Sequence, residues 1–202
     1  MRISGGGARG IPLEVPKGDR VRPATDGMRQ GVFSSLGAII PGAYFLDLFA
    51  GSGGYGLEAL SRGAIGGVFV EQNPKAAACI RRNIAAVSKS LGRPAHSAGG
   101  LVVLQADARH VPIGATEQVP DLVFVDPPYD LIADLAPALF SRLATLLAPK
   151  PDAIVVFEMP GELNLAPDGW VLVKRLGKGA RQPTVAFFRQ RMKPVPSEPP
   201  AA

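Results

Sequence analysis

The run Leu122-Val123-Phe124-Val125, halted by Asp126-Pro127-Pro128-Tyr129, constrains this chain more than any other stretch. Apolar residues rich in β-branched and aromatic types, stopped by two prolines, read as a buried strand with an acid at its carboxyl end. Open α/β sheets bind their ligands at that end. The two prolines fix φ twice and withdraw two N–H donors. Carbonyls there stay available to a ligand, and Tyr129 is held in place. An acid, a free carbonyl and an aromatic face together suit a planar base that carries an amino group.

Other short apolar runs give this strand its neighbours. Strands are expected over 44–49, 67–70, 101–104, 122–125 and 154–157. Helical patterns fall between or before them: from Thr25 or Asp26 to about 36, and over about 57–61, 74–90 and 132–147. Pro74 suits a first helical turn, whereas Pro137 leaves the start of the last helix open. Strand–helix alternation implies a parallel sheet. Residues 171–176 and 184–189 follow with no helix between them and read as an antiparallel edge hairpin. The expected fold is therefore α/β and Rossmann-like: a mostly parallel seven-stranded sheet closed by a C-terminal antiparallel hairpin.

A chain of 202 residues, 47% hydrophobic, fits one domain with a sizeable core. No uninterrupted apolar run approaches membrane-spanning length, and residues 1–9 are polar and Gly-rich, unlike a signal peptide. Cys79 is the sole cysteine, and His96 and His110 lack ligand-like spacing, so no metal site is expected. A soluble cytoplasmic protein, monomeric and without membrane contact, is the default. The charge is uneven. Residues 1–37 hold six Lys/Arg and three acids, 38–173 hold nine and thirteen, and 174–193 hold seven and none. An acidic body with basic flanks suits a polyanion gripped at its edges. Residues 1–23 alternate weakly and suggest a small N-terminal hairpin around Gly5-Gly6-Gly7. Such an arm, carrying Arg2, Arg9 and Arg22, either touches phosphates or frays as a terminus. The organisation expected is an arm and helix over 1–37, a main domain over 38–193, and a disordered tail over 194–202, where four prolines fall.

Gly51-Ser52-Gly53-Gly54-Tyr55-Gly56 matches G-x-G-x-x-G between a strand and a helix, and Glu71 lies twenty residues beyond Gly51. That spacing fits any ribose-bearing cofactor: glycine lets the backbone approach, and an acid closing the second strand holds ribose hydroxyls. Two features disfavour a nicotinamide dinucleotide. Asp47 sits just before the glycines, where it would pair with a cationic amine but oppose a pyrophosphate. Asp-Pro-Pro-Tyr also has no role in hydride transfer.

Phe49-Ala50-Gly51-Ser52-Gly53, the run from Gly56 to Gly63, and Asp126-Pro127-Pro128-Tyr129 resemble class I S-adenosylmethionine-dependent methyltransferases that act on exocyclic amines. Arg22-Pro23-Ala24-Thr25-Asp26, with Arg29 and Phe33, narrows the resemblance to the RsmD family, over residues 2–189. The chain departs from that family's usual pattern at Ala24, Gly27, Gln30 and Gly54-Tyr55. The resemblance implies N2-methylation of a guanine in small-subunit ribosomal RNA, with S-adenosyl-L-methionine as cofactor and ribosomal RNA or the small subunit as partner. Asp-Pro-Pro-Tyr alone also permits an adenine-N6 methyltransferase. Asp126, the Pro127 carbonyl and Tyr129 are the expected catalytic groups. By resemblance, Glu71 holds the cofactor ribose, Asp107 the adenine amino group, and Asp47 with the Gly51–Gly53 backbone the methionine end. Thr25 is also expected on the cofactor. Arg2, Arg9, Arg22, Arg29, Lys174, Lys178 and Arg181 are the expected RNA contacts.

Overall fold

The computed structural model describes residues 1–16, 26–93, 100–111, 118–177, 179 and 182–192. Among them are seven strands: β1 (Tyr44–Leu48), β2 (Gly66–Val70), β3 (Leu101–Leu104), β4 (Leu122–Val125), β5 (Ile154–Pro160), β6 (Trp170–Leu176) and β7 (Pro183–Gln190). They form one sheet in the order β3-β2-β1-β4-β5-β7-β6. The first five strands of that order pair in parallel, and β7 runs antiparallel to both β5 and β6. The C-terminal hairpin thus inserts its second strand beside β5 and leaves β6 outermost.

Four α-helices cover the sheet: α1 (Asp26–Leu36), α2 (Gly54–Ser61), α3 (Pro74–Ser90) and α4 (Ile132–Leu146). One buried cluster joins α1, α2 and α3 to the sheet through Phe33, Leu57, Ile84, Phe45 and Phe124. The other face packs on α4 through Leu139, Phe140 and Leu143. Strands β1, β2 and β4 are buried along their whole length, as strands covered on both faces must be. Asn73 starts α3 by accepting from the N–H groups of Lys75 (2.9 Å) and Ala76 (3.3 Å), with Pro74 in the first turn as expected. Helix α4 begins at Ile132 and runs through Pro137, which forfeits a single ladder bond.

The N-terminal arm is a docked strap. Ile3 N–H donates to Ile11 O (3.0 Å), and Leu13 N–H donates to Met1 O (3.0 Å). Ile3, Ala8 and Leu13 are buried in the same cluster as Phe45 and Phe69. Gly6 has φ +77 and lies against the Ser61 carbonyl; a Cβ there would be 2.0 Å from that oxygen. Glycine is what lets the strap cross the end of α2 so closely. The fraying alternative is overturned by that packing for residues 1–13; residues 17–23 of the arm lie outside the described residues.

Two boundaries differ from expectation. Strand β1 ends at Leu48, because Phe49 turns out of the sheet with φ 60. A bulky residue in the left-handed region costs free energy and is held only where surrounding structure over-determines it. Helix α2 begins at Gly54, three residues ahead of the expected start, so Gly56 lies inside it. Its job there is packing: a Cβ would fall 2.4 Å from Phe69 Cε1 and 2.6 Å from Phe45 Cε2.

Candidate active site

The strand order reverses between β1 and β4, which opens a crevice outside their carboxyl ends. A cleft of about 1130 Å³ occupies it. Asp47, Gly51, Glu71, Asp126, Pro127 and Tyr129 all line that cleft, so the structure brings together six residues that lie up to 82 positions apart in the chain.

On the β1–β2 side, Asp47 is 2% exposed, and its Oδ2 accepts from Gly56 N–H at 2.9 Å. Burial lifts its carboxyl to about 8; the Gly56 bond opposes the shift, and nearby Glu71 adds to it. A carboxyl in that condition favours a cationic partner. Gly51 and Gly53 have φ 56 and 84, and a Cβ at Gly51 would meet open space. Gly51 therefore presents bare backbone to the cleft, whereas Gly53 is outside the cleft wall and faces Leu57 and Phe69. Glu71 closes β2 and braces the turn: its Oε2 accepts from Gly51 N–H (2.8 Å) and its Oε1 from Asn73 N–H (2.7 Å). Each oxygen keeps a lone pair for a hydroxyl. This donor and acceptor set fits a ribose-bearing ligand with a cationic amine, and so fits S-adenosylmethionine.

On the β4–β5 side, no described residue donates a hydrogen bond to the Asp126 carboxyl. Burial raises its pKa well above the usual carboxylate range, and the charges of Glu158 and Asp47 add to that. The Pro127 carbonyl also takes no hydrogen bond from a described residue, whereas the Pro128 carbonyl accepts from Leu131 N–H (3.0 Å). Tyr129 is 43% exposed at the cleft, in a short 3-10 turn that leads into α4.

Two site residues escaped the sequence reading. Glu158, 3% exposed on β5, lines the cleft beside Asp126. Tyr55 Oη donates to Glu158 Oε2 at 2.9 Å, and the Tyr55 ring stacks on Phe124 (centroids 5.3 Å apart, planes at 14°). Burial pushes the Glu158 carboxyl up while the Tyr55 bond pulls it down. Burial, then the charges of Glu158 and Asp126, holds the Tyr55 phenol well above its usual range. A signal for Glu158 existed: Ile154–Phe157 is a second four-residue apolar run closed by an acid, like Leu122–Val125 with Asp126.

Two expectations change. Arg29 is 1% exposed and is not a surface phosphate contact: Nη2 donates to Arg2 O (2.6 Å) and Asp26 Oδ1 (2.8 Å), and Nε lies 3.6 Å from Glu58 Oε2. Glu58, fully buried on α2, also accepts from Ser4 N–H (2.8 Å), Ser4 Oγ (2.7 Å) and Arg62 Nε (2.9 Å). Arg29 thus belongs to the lock that ties strap, α1 and α2 together. The Asp107 carboxylate is not part of the cleft wall, though Ala106 and Ala108 on either side are. It is held by Arg109, whose hydrogen bonds draw its pKa down to about 2. Arg175, in the basic C-terminal segment, donates to Gly161 O (2.7 Å) and Leu163 O (3.0 Å) and so braces a loop. Arg2, Arg9 and Lys174 are exposed. Thr25, Arg22, Lys178, Arg181 and the tail from 194 lie outside the described residues.

A mixed seven-stranded sheet with its last inserted strand reversed, carrying a glycine turn after β1, has the class I methyltransferase fold. The solved structure described as putative methyltransferase yhhF from Escherichia coli superposes with a TM-score of 0.70, at 29% identity, over 96% of this chain and 99% of that one. Ribosomal RNA small subunit methyltransferase D from Haemophilus influenzae is 31% identical over 180 residues, 89% of each chain. The Escherichia coli protein of the same name is 36% identical over 129 residues, 64% of this chain; the match spans 60% of that relative's length. The family described as conserved hypothetical protein 95 matches residues 1–188. The chain belongs to that family, the RsmD family.

Proposed function

We propose that this protein transfers a methyl group from S-adenosyl-L-methionine to the exocyclic N2 amine of a guanine in small-subunit ribosomal RNA, in the cytoplasm. The observation that carries this reading is a pair of acceptors, Asp126 and the Pro127 carbonyl, that no described residue claims, in one cleft with Asp47 and Glu71. The names of the relatives supply the RNA class.

When bound, the cofactor supplies a sulfonium methyl as electrophile. Asp47 would hold its ammonium, the Gly51–Gly53 backbone its methionine end, and Glu71 its ribose. An exocyclic amine is a poor nucleophile because its lone pair delocalises into the ring. Asp126 and the Pro127 carbonyl, accepting its two N–H bonds, localise that pair toward the methyl carbon. Asp126 then accepts the proton that the new secondary amine sheds. Tyr129 stacks on the base and fixes its plane, so that alignment supplies much of the rate. A base in a duplex or stack must first be extruded. Exposed Arg2, Arg9 and Lys174, with Arg22, Lys178 and Arg181 of the basic flanks, position the RNA through phosphates without reading its sequence.

The test is methyl transfer from radiolabelled S-adenosylmethionine to ribosomal RNA, naked or in small subunits, followed by nucleoside analysis. N2-methylguanosine is the expected product; N6-methyladenosine, or no transfer to either form, would overturn the reading. Asp126→Ala is expected to lose transfer by a factor of 10³ or more, on the order of a lost positioning base, while retaining cofactor affinity.

A further inference from the structure

We propose that Glu158, oriented by the Tyr55 hydroxyl, is the residue that selects guanine, by accepting the N1–H that stands beside the N2 amine on the base. The inference rests on the guanine-N2 reading above and adds to it the group that distinguishes this base from others.

Asp126 and Glu158 occupy equivalent positions. Val125 and Phe157 are register partners in the parallel β4–β5 pair, and the two acids are the next residues along. Parallel strands lie about 4.8 Å apart, so the two carboxyls stand side by side. Side chains alternate across a strand, so Asp126 faces with Phe124, and Glu158 faces with Val156. Phe124 and Val156 belong to one buried cluster, on one face of the sheet. Both acids also line the cleft.

One Glu158 oxygen is spoken for: Oε2 accepts from Tyr55 at 2.9 Å. No described residue donates to Oε1. The phenol donating to one oxygen offsets part of the upward push of burial on Glu158 and fixes its plane, which leaves Oε1 as a directed acceptor on a residue 3% exposed. Two adjacent acceptors match a base edge with two adjacent donors. Guanine has that edge, N1–H beside N2–H₂. Adenine offers an amine beside a bare N1 lone pair, which a carboxylate repels. A site built to hydrogen-bond a donor rejects the analogue lacking it, because its own buried polar group is left unpaired.

Tyr55 makes the arrangement rigid. It is buried, its ring stacks on Phe124, and it sits in the first turn of α2, directly after the glycine turn. Glu158 contacts no reacting atom in this scheme; it reads the base, and Asp126 handles the amine.

The experiment compares guanine with 2-aminopurine, which keeps the 2-amine but carries a lone pair at N1. Each is placed at the position mapped by nucleoside analysis, in RNA or reconstituted subunits, and kcat/KM is measured for the full-length enzyme. The wild type is expected to prefer guanine by about 100-fold or more. Glu158→Gln keeps an oxygen for Tyr55 and can present an amide N–H to the N1 lone pair. It is expected to narrow that preference at least tenfold, with affinity for S-adenosylhomocysteine unchanged. Comparing the two ratios cancels the intrinsic difference in amine reactivity between the bases. A ratio unchanged in Glu158→Gln overturns the proposal. If that variant does not fold or bind cofactor, Tyr55→Phe decides, since it keeps the ring and its stack but releases Glu158: a narrowed ratio supports the proposal and an unchanged one overturns it. Failure of the underlying reading shows separately, as a wild-type product other than N2-methylguanosine.

Discussion

Cofactor affinity should depend steeply on pH through Asp47. Its carboxyl is buried, and its pKa stands near 8 where an ordinary aspartate has 3.8. The groups facing it are the Gly56 N–H, Glu71 and the Asp126 carboxyl, none of them a cation. To pair with the ligand's ammonium, Asp47 must be ionised. At pH 6, about two units below its pKa, ionisation costs about 2.7 kcal/mol at 1.36 kcal/mol per unit. At pH 8 half of Asp47 is ionised and the ligand's α-amino group is already partly deprotonated, so binding of S-adenosylhomocysteine is expected to be about 20-fold weaker at pH 6 than at pH 8. Above pH 8 affinity falls again, because a free α-amino group with a pKa near 7.7–8.0 loses its proton. Titration calorimetry in buffers of different ionisation enthalpy should count about one proton released per ligand at pH 6.5. Asp47→Asn still accepts from Gly56 N–H but has no proton to lose, so it should bind more weakly at pH 8 and show no rise between pH 6 and 8. Wild-type affinity constant within threefold over that range, with no proton release, would refute the reasoning. In the unliganded protein the sign is opposite. The raised carboxyl contributes stability below pH 4 that is lost as pH rises toward 8, because the unfolded chain gives up its proton first.

Glu58→Ala strips the buried lock of its acceptor and strands Arg29; a loss of about 3–5 kcal/mol in urea unfolding is expected, and one below about 1 kcal/mol would deny the lock its role. Gly56→Ala drives a Cβ into Phe45 and Phe69 and should destabilise by about 1–3 kcal/mol; an unchanged unfolding midpoint would mean the rings yield freely. Lys174→Ala should lower the slope of log affinity against log salt for ribosomal RNA by about 0.7–0.9, and an unchanged slope would remove Lys174 from the interface.

The parallel core was legible because β1, β2 and β4 are buried along their whole length and so are largely apolar, with turns marked by glycine and proline. The side of the cleft proposed for the cofactor was legible because Asp47, the glycine turn and Glu71 lie within one stretch of chain. The side proposed for the base was only half legible. Asp126 announces itself through two prolines, but Glu158 has no such punctuation and is joined to Asp126 only by strand pairing across the sheet. Arg29 and Asp107 show a second limit. Arg29, expected on the RNA, is spent inside on Glu58, and Asp107, expected by resemblance on the cofactor, is held by Arg109 at the surface, because such partners are invisible to periodicity. The strap misled in the opposite direction: its glycines look like slack, yet Gly6 is needed for contact with α2.

The stack of Tyr55 on Phe124 has an evolutionary consequence. Phe124 is a core residue of the central strand, and its ring forms the floor under Tyr55. The hydroxyl that aims Glu158 is therefore set by interior packing as much as by the cleft wall. A drift in core volume at Phe33 or Phe124, each in ring contact with the other and with Tyr55, would retune which base is admitted without altering any group that a substrate touches. With Glu158 reading the base as proposed, substrate choice is coupled to the same side chains that keep the protein folded, so selection on stability and selection on specificity act on one set of rings.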